Sequence, residues 1–334
     1  MWVTSSIANV LKPNAIALGN FDGIHLGHQQ VLQPILTACR AIGCPSCLKG
    51  KKQETKRTHA TVVTFNPHPR EFFTGQPQKL LTPLEEKIGQ LERLGVDQLV
   101  LLPFDRELAS LNPQQFVEFI LLRQLQASSI SVGEDFRFGH QRVGTAADLQ
   151  AIAANFGIEV TITSLKNCQG DNIEGMVRIS SSSIRQALEQ GEIGQANRML
   201  GRPYTLTGTV IAGEKLGRTI GFPTANLQLP ASKFLPKQGV YCVGVFLEGG
   251  SPEQAVLPLK GVMNLGCRPT VDGRTPTVEV HLLEWSGDLY GQTLTVTLEK
   301  YLRPEQKFPS FDALKAQIAA DCDAAREMID NRYH

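Results

Sequence analysis

Gly19-Asn20-Phe21-Asp22-Gly23-Ile24-His25-Leu26-Gly27-His28 is the stretch on which the fold of the first half turns. It follows a short apolar run, residues 15–19, that reads as a buried strand, and it opens a segment of helical periodicity. Glycines let a backbone approach phosphate closely, and a helix N-terminus presents free N–H groups and the positive end of its dipole. His25 and His28 are three residues apart, so on a helical turn they share a face. Two imidazoles placed in this way can donate hydrogen bonds to phosphoryl oxygens as charge develops on a transferring group. Taken alone, the same pattern also describes a glycine-rich turn carrying two surface histidines.

Outward from this turn, strands and helices alternate. Residues 60–65, 98–102, 130–133 and 158–163 are short, apolar and rich in valine and isoleucine, as strands covered on both faces are. Helix starts lie between them. Thr82-Pro83-Leu84-Glu85 offers a capping threonine, a proline at the first helical position and a glutamate three residues on, and Asn112-Pro113-Gln114-Gln115 repeats the arrangement. Thr145 with Asp148 is a third case. The alternation predicts a parallel sheet with helices on both faces and a ligand site at the carboxyl ends of its strands, near a switch point.

The pattern changes after about residue 190. Residues 182–190 and 192–200 read as helices stopped by Gly191 and Gly201, with Pro203 beyond. Residues 204–210, 240–247, 259–264, 277–284 and 293–298 then read as strands without intervening helices, separated by glycine- and proline-rich turns. This predicts a small antiparallel barrel, with an amphipathic helix over residues 311–329 on its outside. The expected domains are residues 1–190 and 191–334, and no internal repeat of fixed period is visible.

The bulk numbers agree with two globular domains: 334 residues, 42% apolar and 19% charged. A formal net charge of +1 gives no global electrostatic case for nucleic acid or an acidic membrane surface. Anion binding must come from loop amides, helix N-termini and individual basic side chains. No stretch approaches the roughly 18–20 apolar residues of a membrane span, and residues 1–10 lack the pattern of a secretory signal. Seven scattered cysteines argue against a disulfide framework and for a reducing cytoplasm. Between Cys39 and His59 lies a stretch with Cys44, Cys47, Lys49, Lys51, Lys52, Lys56 and Arg57, which reads as a solvated basic insertion. A zinc half-site at Cys44 and Cys47 would need a second pair at suitable spacing, and only Cys39 and His59 are near.

A His-x-Gly-His at the first strand-to-helix turn of an alternating α/β domain resembles the signature of the nucleotidylyltransferases. Three further segments make the resemblance specific: Thr64-Phe65-Asn66-Pro67-His68-Pro69-Arg70, Val132-Gly133-Glu134-Asp135-Phe136-Arg137-Phe138-Gly139 and Arg178-Ile179-Ser180-Ser181-Ser182-Ser183. Together they resemble the FMN adenylyltransferase module of the bifunctional riboflavin kinase/FAD synthetases. In the second half, Gly213-Glu214-Lys215-Leu216-Gly217-Arg218 followed by Pro223-Thr224-Ala225-Asn226 resembles the riboflavin kinase signature, as does the strand Thr277-Val278-Glu279-Val280-His281-Leu282. Gly239-Val240-Tyr241, the segment from Val262 to Thr270 and Leu302-Arg303-Pro304-Glu305 also match, so the two resemblances cover nearly the whole chain.

The resemblance implies a nucleotidylyltransferase-type, Rossmann-like α/β domain followed by a β-barrel kinase domain with a C-terminal helix. The implied substrates and products are riboflavin, FMN, FAD and ATP, with Mg²⁺ as cofactor. It assigns His25 and His28 to phosphate and transition-state contacts, Gly19, Asn20, Phe21, Asp22 and Gly27 to the nucleotide loop, and Arg178, Ser180 and Ser181 to the β/γ-phosphates. In the kinase domain it assigns Gly213, Gly217 and Arg218 to a phosphate flap, Thr224 and Asn226 to the metal, and Glu279 to the general base, with His281 structural. Asp135 would reach the flavin and Arg303 the flavin or a phosphate group, although Arg303 is equally readable as one half of a surface ion pair. Other readings remain open on the residues alone: one active module, a flavin-binding protein without catalysis, or a nucleotidylyltransferase for another small phosphate. A homo-oligomer is compatible with all of them.

Overall fold

Residues Asn14–Leu18 are buried at every position, the condition of a strand covered on both faces. The computed structural model describes residues 1–42, 57–164, 167–169, 176–213, 217, 220–247, 258–270 and 273–333. Its chain contacts divide into two compact units, Met1–Gln169 with Met176–Ser181, and the chain from Ser182 onward.

The first unit carries β1 (Trp2–Thr4), β2 (Asn14–Leu18), β3 (His59–Asn66), β4 (Gln98–Pro103), β5 (Ala127–Gly133), β6 (Arg137–Phe138), β7 (Gly144–Thr145), β8 (Glu159–Thr163), β9 (Asn167–Gln169) and β10 (Met176–Arg178). Six of these form one sheet in the order β1-β4-β3-β2-β5-β8, and every neighbouring pair is parallel. Side chains alternate between two cores. Ala15 and Ala17 face Leu32 and Ile35 of the helix Leu26–Ile42. Ile16 and Leu18 face Val117, Leu121 and Leu149 on the other side. β3 and β5 flank β2 on opposite sides, so the chain reverses its direction of travel across the sheet there. The Gly19–His28 turn leaves the carboxyl end of β2, at that switch point.

The second unit is a closed, all-antiparallel barrel of β11 (Tyr204–Ile211), β12 (Ala225–Gln228), β13 (Gly239–Leu247), β14 (Leu259–Thr270), β15 (Gly273–Leu282) and β16 (Thr293–Arg303), in the order β11-β12-β15-β14-β13-β16. Closure leaves no free sheet edge. The C-terminal helix Phe311–Tyr333 packs Cys322 and Ala325 on Val240, Cys242 and Val262, on the outside of β13 and β14. The helices Ser181–Gln190 and Ile193–Leu200 also lean on the barrel: Lys237 N donates to Leu188 O at 2.9 Å and Asn197 Nδ2 to Leu298 O at 2.8 Å.

Two expectations need correction. Thr82 does not cap a helix. The helix Leu84–Arg93 has no side-chain cap, because the threonine hydroxyl is turned to Gly23 instead. The barrel has a sixth strand, β12, inside the stretch read as a loop. The caps at Asn112 and Thr145 are present as full capping boxes. Cys44, Cys47 and the lysines of the basic insertion lie outside the described residues.

Candidate active sites

The turn after β2 is held in an unusual backbone. Phe21 and Ile24 have φ of +49° and +43°, and Gly23 lies between them at +92°. Left-handed conformations at non-glycine residues cost on the order of 1–3 kcal/mol each. Here they are held by anchors, since Phe21 and Ile24 are buried in the core. Hydrogen bonds complete the clamp. Asp22 Oδ1 accepts from Thr82 N at 3.1 Å, and Thr82 Oγ1 accepts from Gly23 N at 2.8 Å. Asn20 O accepts from Thr64 Oγ1 at 3.2 Å and from Lys87 Nζ at 2.9 Å. Ser181 Oγ donates to Asp22 O at 2.7 Å, from 159 residues further along the chain.

His25 and His28 are brought together, as the spacing predicts. Their rings stack with centroids 3.7 Å apart and planes 16° from parallel. The Phe21 ring lies 5.1 Å from that of His28. A Cβ at Gly27 would lie 3.1 Å from His25 Nδ1, so a side chain there would press on the pair. His28 Nδ1 is shielded from solvent and has no hydrogen-bond partner among the described residues. Burial, then the neighbouring charges of His25 and Lys87, hold His28 well below the ordinary imidazole range. His28 is therefore neutral at neutral pH and can donate from one nitrogen only.

Beside the turn lies a cavity of about 100 Å³, lined among others by Asn20, Asp22, Thr64, His68 and Lys87. Arg178 and Asp135, assigned separately to phosphate and flavin, are brought together as an exposed ion pair with Nη2–Oδ2 at 2.6 Å. Exposed pairs of this kind contribute about 0–1 kcal/mol, so a ligand can open it at small cost. Ser180 precedes the helix Ser181–Gln190, and the hydroxyl proton of Ser181 is engaged by Asp22 O rather than directed outward.

In the barrel unit, strand register does the positioning. Asn226 on β12 is directly opposite Glu279 on β15, and Glu279 is directly opposite Asn264 on β14. Paired residues of neighbouring strands project to the same face, so these three form one polar row. Val278 and Val280 are buried on the alternate face. A Cβ at Gly213 would collide with the Asn226 amide, and one at Gly217 would meet Phe222 O and lie 3.4 Å from Thr224 Oγ1. Both glycines therefore back the residues assigned to the metal. Arg218 lies outside the described residues. His281 Nδ1 lies 2.8 Å from Pro223 O and its ring meets Phe222 edge-on at 5.4 Å, which fixes the start of the Pro223–Asn226 segment.

Arg303 forms an ion pair, and a largely buried one. Its Nη2 lies 2.7 Å from Asp321 Oδ2 on the C-terminal helix, with side-chain exposures of 17% and 7%. Arg303 Nε reaches both carboxylate oxygens at 3.1 Å. Sequence reading gave no site role to three residues. Lys87 and Thr82 hold the first turn, and Glu305 reaches the polar row of the barrel, where its Oε1 accepts from Asn264 Nδ2 at 3.1 Å. Lys87 had a legible signal, a charged residue in step with the apolar positions Leu84 and Leu91 of its helix.

Fold and site together define a two-part transferase: a nucleotidylyltransferase-type domain followed by a kinase barrel. The FAD synthetase family model matches residues 7–177 and the riboflavin kinase family model residues 200–329. A bifunctional riboflavin kinase/FMN adenylyltransferase of Escherichia coli K12 is 41% identical over 315 residues, 94% of this chain and 92% of the relative. One from Haemophilus influenzae is 38% identical over 326 residues, 96% of each chain. The chain belongs to the bifunctional riboflavin kinase/FMN adenylyltransferase family. A crystal structure described as a macrolide-efflux protein from Streptococcus pneumoniae superposes with a TM-score of 0.79 at 30% identity, covering 97% of this chain and 98% of the other. Among the described residues here, no helix is long and apolar enough to cross a membrane.

Proposed function

We propose that the protein phosphorylates riboflavin to FMN with one ATP and adenylates FMN to FAD with a second, releasing pyrophosphate. The barrel domain carries out the first step and the α/β domain the second. The observation that carries this reading is that each unit gathers the residues to which we assign a triphosphate. The stacked His25 and His28 stand at the sheet's switch point in one. In the other, Asn226 and Glu279 are paired across β12 and β15.

In the adenylyl transfer no side chain attacks. A phosphate oxygen of FMN attacks the α-phosphorus of ATP, and the chain orients the partners and stabilises charge. Loop amides and the His25 and His28 rings face the phosphates, and Arg178 releases Asp135 to join them. In the kinase step Glu279 accepts the proton of the flavin 5′-hydroxyl as that oxygen attacks the γ-phosphorus, the bond from that phosphorus to the β-phosphate oxygen breaks, and ADP leaves. The hydroxyl of Thr224 and the carboxamide oxygen of Asn226 are hard donors of the kind magnesium takes alongside phosphates. The Asn226 amide lies where only a glycine at position 213 leaves room, and the pair fits that ion. Magnesium bound there supplies positive charge against the triphosphate.

The described cysteines Cys39, Cys242, Cys267 and Cys322 are free thiols, in keeping with the cytoplasm, to which we assign the protein. The test is direct. Protein, riboflavin, ATP and Mg²⁺ are incubated and the flavins separated. FMN followed by FAD is expected; FMN without FAD removes the adenylyltransferase claim, and no FMN removes the kinase claim.

A further inference from the structure

Lys87 projects from the helix Leu84–Arg93 into the cavity beside the Gly19–His28 turn and is only 8% exposed. An ammonium has three donors. Among the described residues Lys87 uses one, to Asn20 O at 2.9 Å, and it forms no ion pair. The acid whose charge it feels is Asp22, and Asp22 Oδ1 already accepts from the Thr82 amide. A buried ammonium without a close counter-ion is strongly disfavoured. The fold nevertheless retains it at the carboxyl ends of the parallel strands, where ligands enter such sheets. Its charge reaches His28, so an anion seated against Lys87 also lies within the field of the histidine pair. The cavity of about 100 Å³ equals the share of about three water molecules, a volume suited to a phosphoryl group.

We propose that Lys87 is a phosphate-binding residue of the adenylyltransferase site, its ammonium supplying the counter-charge for a phosphoryl group seated between the Gly19–His28 turn and the helix Leu84–Arg93. The inference rests on the function proposed above and extends it to a residue that no motif marks. The phosphate has two possible sources, the 5′-phosphate of FMN or the phosphates of ATP, and kinetics separates them.

Lys87→Met keeps the length of the side chain and removes the charge. FAD formation from supplied FMN should fall at least thirtyfold in kcat/KM. A rise in KM for FMN with KM for ATP unchanged assigns the flavin phosphate, and the reverse assigns the nucleotide. Lys87→Arg should recover part of the loss. FMN formation from riboflavin in the same preparation should stay within twofold of the parent. The melting temperature should change little, since the lost hydrogen bond to Asn20 O is offset by replacing a buried charge with an apolar chain of similar volume. If Lys87→Met turns over FMN with both KM values unchanged, or loses activity only in proportion to lost folded protein, the residue is structural and the proposal is overturned. A parent protein that makes no FAD would instead overturn the function proposed for the whole domain.

Discussion

The backbone amide of His28 donates to Nδ1 of His25 at 3.2 Å, so one histidine fixes the tautomer of the other. With Nδ1 accepting, the ring proton of neutral His25 sits on Nε2. His28→Ala removes the stacking ring but leaves that amide in place. FAD formation should fall about 10²–10³-fold, the usual cost of losing one aligned donor to a developing oxyanion. FMN formation by the same protein should be spared, as separation of the flavin products will show.

Gly27→Ala tests the same pair from behind. Its methyl would stand 3.1 Å from His25 Nδ1 and 3.2 Å from Cε1, and ring and methyl cannot both keep their places. A displacement of a few tenths of an ångström should lower kcat for FAD formation by about tenfold, with little change in FMN formation.

The lowered affinity of His28 for protons has a sign that stability measurements will reveal. The unfolded chain binds a proton near the ordinary value of 6.5, whereas the folded ring resists it. Folding is therefore unaffected above this value and is progressively destabilised as pH falls below it, with a slope approaching about 1.4 kcal/mol per pH unit for one proton. The dependence ends below the folded value. The two tryptophans, Trp2 and Trp285, fall one to each unit. In a Trp285→Phe background, urea unfolding followed at Trp2 between pH 7 and pH 5 should show this loss, and His28→Gln should flatten it.

Glu279→Gln keeps the side chain's size and removes its ability to take a proton. FMN formation should drop about 10²–10⁴-fold, while FAD formation from supplied FMN stays at the parent rate. Full FMN formation by this variant would dismiss Glu279 as the base.

Asp321 holds Arg303 through three contacts and also accepts from Gln317 Nε2 at 3.0 Å. Asp321→Ala leaves a mostly buried guanidinium without its partner, at a cost of about 3 kcal/mol to the barrel unit. Urea unfolding at Trp285 in a Trp2→Phe background should show the shift, and Arg303→Met combined with Asp321→Ala should recover part of it.

Regular elements were the legible part of the chain. Strands expected at 60–65 and 98–102 appear as His59–Asn66 and Gln98–Pro103, because burial on both faces writes a short stretch dominated by apolar and β-branched residues. β12 escaped notice because four residues, close behind Pro223, are too few for alternation to register; Ala225–Gln228 becomes a strand through its neighbours. The histidine pair was readable because its members lie three residues apart where the helix Leu26–Ile42 begins. Lys87 showed only its place in step with Leu84 and Leu91, and its role stayed hidden because its partner Asn20 stands 67 residues away. Thr82 carried the right residue type for a cap, and a tertiary demand from Gly23 overrode the local one. Local chemistry named the candidates, and only the packed chain decided which of two partners each would serve.

The brevity of β12 has a further consequence. It is joined to β11 at Thr209↔Gln228, Val210↔Leu227 and Ile211↔Asn226, and to β15 only at Ala225↔Val280 and Asn226↔Glu279. The cylinder is thus most loosely stitched along the seam where its chemistry is expected. Spontaneous opening should begin there, and a nucleotide gripping Asn226 would act as the missing stitch, slowing amide exchange along that stave before any other.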